Sequence, residues 1–359
     1  MRGRKRYFRS CFVFVAAILI SVSALAHAKG ELPDVVILAT GGTIAGSAES
    51  GTQAGYSSGQ VGVEVLVNAV PDLKKLANIT GEQIANVGSQ NMSDVVWLKL
   101  ADRINALLKS DDVDGVVITH GTDTMEETAY FLNLVVKSKK PVVLTGSMRP
   151  STAMSADGPL NIYNAVAVAA DPNAAGRGVL VVTNDDIHSA RAVMKSSTTD
   201  VQTFISPTYG LIGTVAYGNA QYFRKPLGVH THYTKFSVEG AKSLPRVDVI
   251  AMYEDVPGDI IDAVVGLGAK GIVTAGLGNG NMTDSVVEAL KRAKAKGVAV
   301  VRASRVPTGF VDRNIELNDD ELGFVASYGL SPQKSRILLR LALMKTNDWK
   351  EIQKMFATY

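Results

Sequence analysis

Residues 38–45 read LATGGTIA, the end of an apolar run followed at once by two glycines and a threonine. The run itself, 35–39, has the length and composition of a buried strand, and Gly41 with Gly42 supply the backbone freedom that a sharp strand exit needs. Thr43 then opens the next turn with its hydroxyl presented at the end of the strand. A phosphate-cradling loop is the competing reading. It is disfavoured because the stretch holds neither G-x-G-x-x-G nor a Walker sequence, and no lysine.

The same arrangement returns at 118–128, ITHGTDTMEET, where apolar residues lead to His120, Gly121 permits a turn, and Thr122 and Asp123 stand before a helical pattern. A hydroxyl and a carboxylate therefore sit at a second strand exit, the region where open α/β sheets bind ligands, beside helix N–H groups suited to an anion. Two threonines compete as nucleophile. A neutral hydroxyl attacks poorly, so either one requires a base or a proton path. Asp123 can act with Thr122 or simply cap the helix that follows. Lys195, in RAVMKSSTTD at 191–200, is the candidate proton acceptor for Thr122, with surface lysine as the competing reading.

Working outward, strand-like runs recur at 115–119, 141–145, 179–183, 247–252, 271–275 and 298–302. Between them lie helical patterns: Met125, Ala129, Leu132 and Val136 with Glu126 and Glu127 favourable in the first turn, and Val286, Ala289, Leu290 and Ala293 on one face. Ser331 caps a last helical pattern whose first position is Pro332. The alternation predicts an α/β fold with mainly parallel sheets, a larger N-terminal domain (31–223) and a smaller C-terminal one (246–359). The polar stretch 224–245, RKPLGVHTHYTKFSVEGAKSLP, reads as a linker with a short hairpin. His230 and His232 lie in it without a spaced Cys, Asp or Glu, so they read as loop surface and not as metal ligands.

The chain begins with five basic residues and no acidic one, then an apolar stretch from Cys11 to about Leu25, and small residues at Ala26 and Ala28. This is the pattern of a secretory signal peptide over 1–28, too short in its apolar core for a retained membrane anchor, and it places the protein in the periplasm or outside the cell. Its removal turns the formal net charge from +3 to −2, so the basic balance comes from targeting. No nucleic-acid footprint remains: Lys291, Arg292, Lys294 and Lys296 read as the wet side of a helix. The only cysteine, Cys11, leaves with the leader, so the exported protein relies on its core and on oligomerisation rather than on disulfides.

Taken together, ILATGGTIAG, VVITHGTDTMEET, GSMRP, KSSTTD, GLGNGN and VPTG occur in an order similar to that of bacterial L-asparaginases of the exported type II class, which themselves resemble the glutaminase-asparaginases. The resemblance covers the chain from about Asp34 to Tyr359. It implies that Thr43 is the primary nucleophile and Thr122 the second catalytic threonine, with Asp123 and Lys195 its partners. It implies that Tyr56, in AGYSSGQVG, is a lid tyrosine contacting the first threonine. Ser89 and Gln90 would bind the α-carboxylate and amino end of the substrate, Asp123 its ammonium, and Asn281 and Glu316 would reach the pocket from the second domain of a neighbouring subunit.

The expected reaction is attack of Thr43 on the side-chain amide of L-asparagine, release of ammonia, and hydrolysis of the β-aspartyl ester by water, with Glu316 and Tyr56 orienting Thr43. The charge inventory suits such a substrate: Asp123 and Glu316 for an ammonium, Ser89 and Gln90 for a carboxylate. The resemblance implies no cofactor or metal, and a homotetramer built as a dimer of intimate dimers. A dual glutaminase-asparaginase and, more remotely, an exported amino acid binding protein are the alternatives.

Overall fold

The computed structural model describes residues 32–46, 50, 59 and 62–359; the expected leader, 1–28, and Tyr56 lie outside the described residues. The strands are β1 (Asp34–Gly41), β2 (Asn78–Val87), β3 (Gly115–Thr119), β4 (Val142–Thr145), β5 (Val179–Thr183), β6 (Asp186–Ser189), β7 (Met194–Lys195), β8 (Phe204–Ile205), β9 (Gly213–Ala216), β10 (Asn219–Tyr222), β11 (Val247–Ala251), β12 (Gly271–Gly276), β13 (Ala299–Ser304) and β14 (Val325–Ala326). The helices are α1 (Val63–Asn68), α2 (Asp94–Lys109), α3 (Met125–Val135), α4 (Gly158–Ala170), α5 (Asp259–Gly266), α6 (Asp284–Ala295), α7 (Asp319–Leu322), α8 (Pro332–Leu343) and α9 (Trp349–Thr358).

The result is two α/β domains. The larger is built on an eight-stranded sheet in the order β10-β9-β6-β5-β4-β3-β1-β2, and the smaller on a four-stranded sheet in the order β11-β12-β13-β14. From β5 to β2 the large sheet is parallel; β6, β9 and β10 extend it antiparallel. The small sheet is parallel throughout. Parallel strands need both faces covered, and β1 shows how the sequence provides for it. Val36 and Leu38 join the core under α2 and α3, while Val35, Ile37 and Ala39 join the opposite core under α1 and α4.

On the small sheet, α5 and α6 cover one face. The other face, under α8 and α9, shares one continuous core with α2 and α3 of the large domain, through Val273, Val301, Leu338 and Phe356. Each fully buried side chain of that size contributes about 1.5–3 kcal/mol, so the shared core is a substantial tie between the two domains. The end of α6 carries the basic cluster in the expected surface setting, with Lys291 paired to Glu288 and Arg292 to Asp262. Among the described residues no helix is long and apolar enough to cross a membrane.

Two expectations for one stretch fail. The stretch 224–245 forms no strand, hence no hairpin, and contains only a three-residue 3-10 turn, Thr231–Tyr233. Its polar groups are taken up by the large domain instead: Lys137 Nζ donates to the Thr234 carbonyl and hydroxyl, and Thr234 Oγ1 donates to the Leu134 carbonyl. Phe236, Val238 and Leu244 are buried in the shared core. A segment anchored by side chains to a neighbouring helix does not need cross-strand pairing to satisfy its backbone. His230, expected at the loop surface, is instead buried, its ring packed against Gly178 of the large domain and its Nδ1 3.0 Å from the Thr231 hydroxyl, whereas His232 is exposed.

Candidate active site

In the large sheet β3, β4 and β5 extend to one side of β1, and β2 lies on the other. The connections leaving β1 and β3 therefore diverge, and the crevice at the carboxyl ends of these two strands is the topological switch point where open α/β sheets bind ligands. Thr43 follows β1 and Thr122 follows β3, so both threonines sit at this point, each at the head of a three-residue 3-10 turn and each buried.

The glycines before them are needed for contact between the loops. Gly42 has φ +83°, and a Cβ on it would fall 2.3 Å from the Gly121 nitrogen; a Cβ on Gly121 would fall 2.7 Å from Ser89 Oγ. No side chain fits at either position. Three segments, after β1, β2 and β3, are thereby drawn together, the first and third through their backbones and the second through the Ser89 side chain. Ser89 belongs to the turn that follows β2, is buried, and receives the Asp123 N–H on its Oγ at 3.2 Å, while the Thr124 hydroxyl donates to its carbonyl at 2.8 Å. Gln90 follows directly and is exposed, its side-chain amide lying over Gly88.

Lys195 comes from β7, far away in sequence. Its Nζ donates to Thr122 Oγ1 at 2.9 Å and to Asp123 Oδ1 at 2.7 Å. Asp123 therefore turns to the lysine and does not cap α3, whose N-cap residue is Thr124 without a side-chain capping bond. Thr43, Ser89, Thr122, Asp123 and Lys195 are thus gathered in one place. Two cavities, of about 410 and 240 Å³, are lined by none of these residues. Convergence of polar groups marks this site.

Asn281 and Glu316 stand elsewhere. Asn281 closes a turn after β12, exchanging both main-chain hydrogen bonds with Leu277, and Glu316 is exposed in the loop between β13 and α7. Among the described residues, no hydrogen bond or ion pair joins either of them to Ser89, Thr122, Asp123 or Lys195. Their two loops are instead fastened together by Arg302. Its side chain and that of Asp319 are wholly buried and paired through two 2.6 Å contacts. The same guanidinium donates to the Asn279, Gly280 and Asp312 carbonyls.

Two residues of this region exceed what sequence reasoning assigned them. His120 is buried, and desolvation pushes its pKa down to about 4, so the ring is neutral. Its Nδ1–H donates to the Gly121 carbonyl, and Nε2 accepts from Thr128, whose hydroxyl accepts in turn from Trp97 Nε1. That chain braces the turn carrying Thr122. Glu126, expected only to favour the first turn of α3, is buried and accepts the Lys195 N–H at 2.8 Å. The available signal was the apolar surround: α3 is buried on nearly every side, and a carboxylate in such a helix must find partners.

An open α/β sheet with two threonines, a lysine and a carboxylate at its switch point supplies the groups that catalysis by a hydroxyl nucleophile requires. Comparison with known proteins carries this further. Residues 34–228 match the family described as Asparaginase, N-terminal, and residues 246–356 the Glutaminase/Asparaginase C-terminal domain. A probable periplasmic L-asparaginase of Haemophilus influenzae is 52% identical over 349 residues, covering 97% of this chain and 98% of its own. A glutaminase-asparaginase of Pseudomonas fluorescens is 47% identical, covering 95% of this chain and 96% of its own. The crystal structure of a probable cytoplasmic L-asparaginase from Campylobacter jejuni superposes with a TM-score of 0.89 at 47% identity, covering 91% of this chain and all of its own. The chain belongs to the asparaginase/glutaminase family.

Proposed function

We propose that this protein hydrolyses L-asparagine to L-aspartate and ammonia with Thr43 as nucleophile. Thr43 Oγ attacks the side-chain amide carbon, the C–N bond breaks as nitrogen takes up a proton and leaves as ammonia, and water then cleaves the β-aspartyl ester to restore the threonine. The observation that carries the reading is the placement of Lys195 Nζ within hydrogen-bond reach of both Thr122 and Asp123, beside the contact that joins the Thr43 and Thr122 loops. Thr122, Lys195 and Asp123 form the proton path. Ser89 and Gln90 hold the substrate carboxylate, and Asp123 its ammonium.

In the same reading Tyr56 and Glu316 orient Thr43, and Asn281 and Glu316 complete a neighbouring subunit's pocket in a homotetramer of intimate dimers. Residues 1–28 act as an export signal, 31–223 and 246–359 are the two domains, and 224–245 is the link between them, in a protein of the periplasm or the medium. L-Glutamine is the second substrate to consider, since the family includes glutaminase-asparaginases and one methylene is worth only about 1–3 kcal/mol of discrimination.

Two measurements on one preparation test the reading. Mass spectrometry with a reactive diazo amide analogue should find an adduct on the peptide containing Thr43, and kcat/KM for L-asparagine should exceed that for L-glutamine. Reversible binding with neither turnover nor adduct would make the protein an amino acid receptor instead.

A further inference from the structure

Lys195 sits on a ladder of only two residue pairs, Met194–Ile205 and Lys195–Phe204, and the residues that follow it, 196 and 198–200, are exposed. So short a hairpin does not by itself hold an ammonium group to the fraction of an ångström that proton transfer requires. The main chain around Lys195 is gripped from two helices. From α3, Glu126 Oε2 accepts the Lys195 N–H at 2.8 Å. From α8, the buried Lys334 Nζ donates to the Arg191 carbonyl at 3.1 Å and to the Val193 carbonyl. The same turn of α8 supplies Gln333, whose Nε2 donates to Glu126 Oε1, so both carboxylate oxygens are engaged.

Glu126 lies four residues beyond Thr122, on the helix that the Thr122 turn runs into. One rigid element therefore sets both ends of the Thr122–Lys195 contact, and α8 of the smaller domain locks it. Burial pushes Lys334 down to about 8, and the nearby Glu126 opposes that shift.

We propose that Glu126 is a positioning residue for Lys195, held in register by Gln333 and Lys334 at the start of α8. This rests on the reading of Lys195 as part of the proton path. The carboxylate does not touch substrate in this scheme; it fixes the backbone from which the lysine reaches Thr122 and Asp123.

The test uses the full chain and four variants, with kcat, KM, melting temperature and the pH profile of kcat measured for each. Glu126→Ala should lower kcat by up to about 100-fold with KM for L-asparagine nearly unchanged, and should displace the basic limb of the profile. Glu126→Gln, whose amide oxygen still accepts the Lys195 N–H while its NH2 donates to a Gln333 side chain turned to present its oxygen, should recover most of kcat. Gln333→Ala, at a partly exposed position, should lower kcat several-fold in a protein that still folds, and this variant decides the matter if Glu126→Ala does not fold.

Wild-type kcat in folded Glu126→Ala or in Gln333→Ala would overturn the proposal, as would Glu126→Gln being as impaired as the alanine variant. Lys195→Met separates the two levels of the argument. If it is inactive while Glu126→Ala is unimpaired, only the positioning role falls; if it is fully active, the proton path itself falls and the positioning role with it.

Discussion

The carboxyl ends of the two parallel sheets carry loop clusters built in opposite ways. On the large sheet, three loops touch through Gly42, Gly121 and Ser89, and the polar side chains they carry are mostly buried and bonded to one another. On the small sheet the loops are fastened from below by the buried Arg302–Asp319 pair, while Glu316 points from an exposed segment. The first cluster is preorganised for chemistry, with donors and acceptors already committed to fixed geometry. The second is a buried mount under an exposed Glu316. That the two complete one pocket across chains is the proposal the following experiments test.

The largest expected effect breaks the first cluster. Thr43→Val and Thr122→Val keep side-chain volume and remove the hydroxyl, and each should lower kcat by about three orders of magnitude or more. Melting temperatures should change little, since each substitution leaves the backbone contacts of its turn in place. Near wild-type turnover in either variant would remove that threonine from the mechanism.

The next effect concerns stability and strikes the second cluster. Arg302→Met leaves the Asp319 carboxylate buried without its cation and deprives three carbonyls of a donor, and should destabilise the protein by about 3–5 kcal/mol in urea unfolding. Adding Asp319→Asn removes the stranded charge and should return part of the loss. A change below about 1 kcal/mol in the single variant would mean that the loops of Asn281 and Glu316 are held by other contacts.

How much of this was legible beforehand follows from burial. Strands covered on both faces, β3 and β5, stand out as unbroken apolar runs and occupy the expected residues 115–119 and 179–183. β2 passed unnoticed because it lies at the sheet edge, half-exposed along NITGEQIANV, with no apolar run to mark it. The two-residue strand holding Lys195 is too short for any periodicity. At the site, glycine followed by threonine at two strand exits was readable from local chemistry. Glu126 was not, because helix-dipole logic already accounted for an acid in that turn. Asn281 and Glu316 have no local signature at all and entered only through the family resemblance.

The smallest effect is the one that bears most directly on the two clusters. If each pocket takes its threonines from one chain and Glu316 from the neighbour, Thr43→Val and Glu316→Ala chains, each inactive alone, should complement when mixed. In a two-fold symmetric pair, a mixed dimer holds one pocket with both lesions and one with neither. Random exchange makes about half of the dimers mixed, so about one pocket in four is intact and activity should return to about a quarter of wild type. Were every pocket completed within its own chain, each would keep its own lesion and nothing would return. The experiment therefore needs proof of exchange, which differently tagged chains recovered in one complex supply. With exchange proven and no activity regained, the exposed glutamate would have to act on its own chain's threonines or play no part. The contrast between a chemical cluster and a displayed one would then describe two unrelated surfaces.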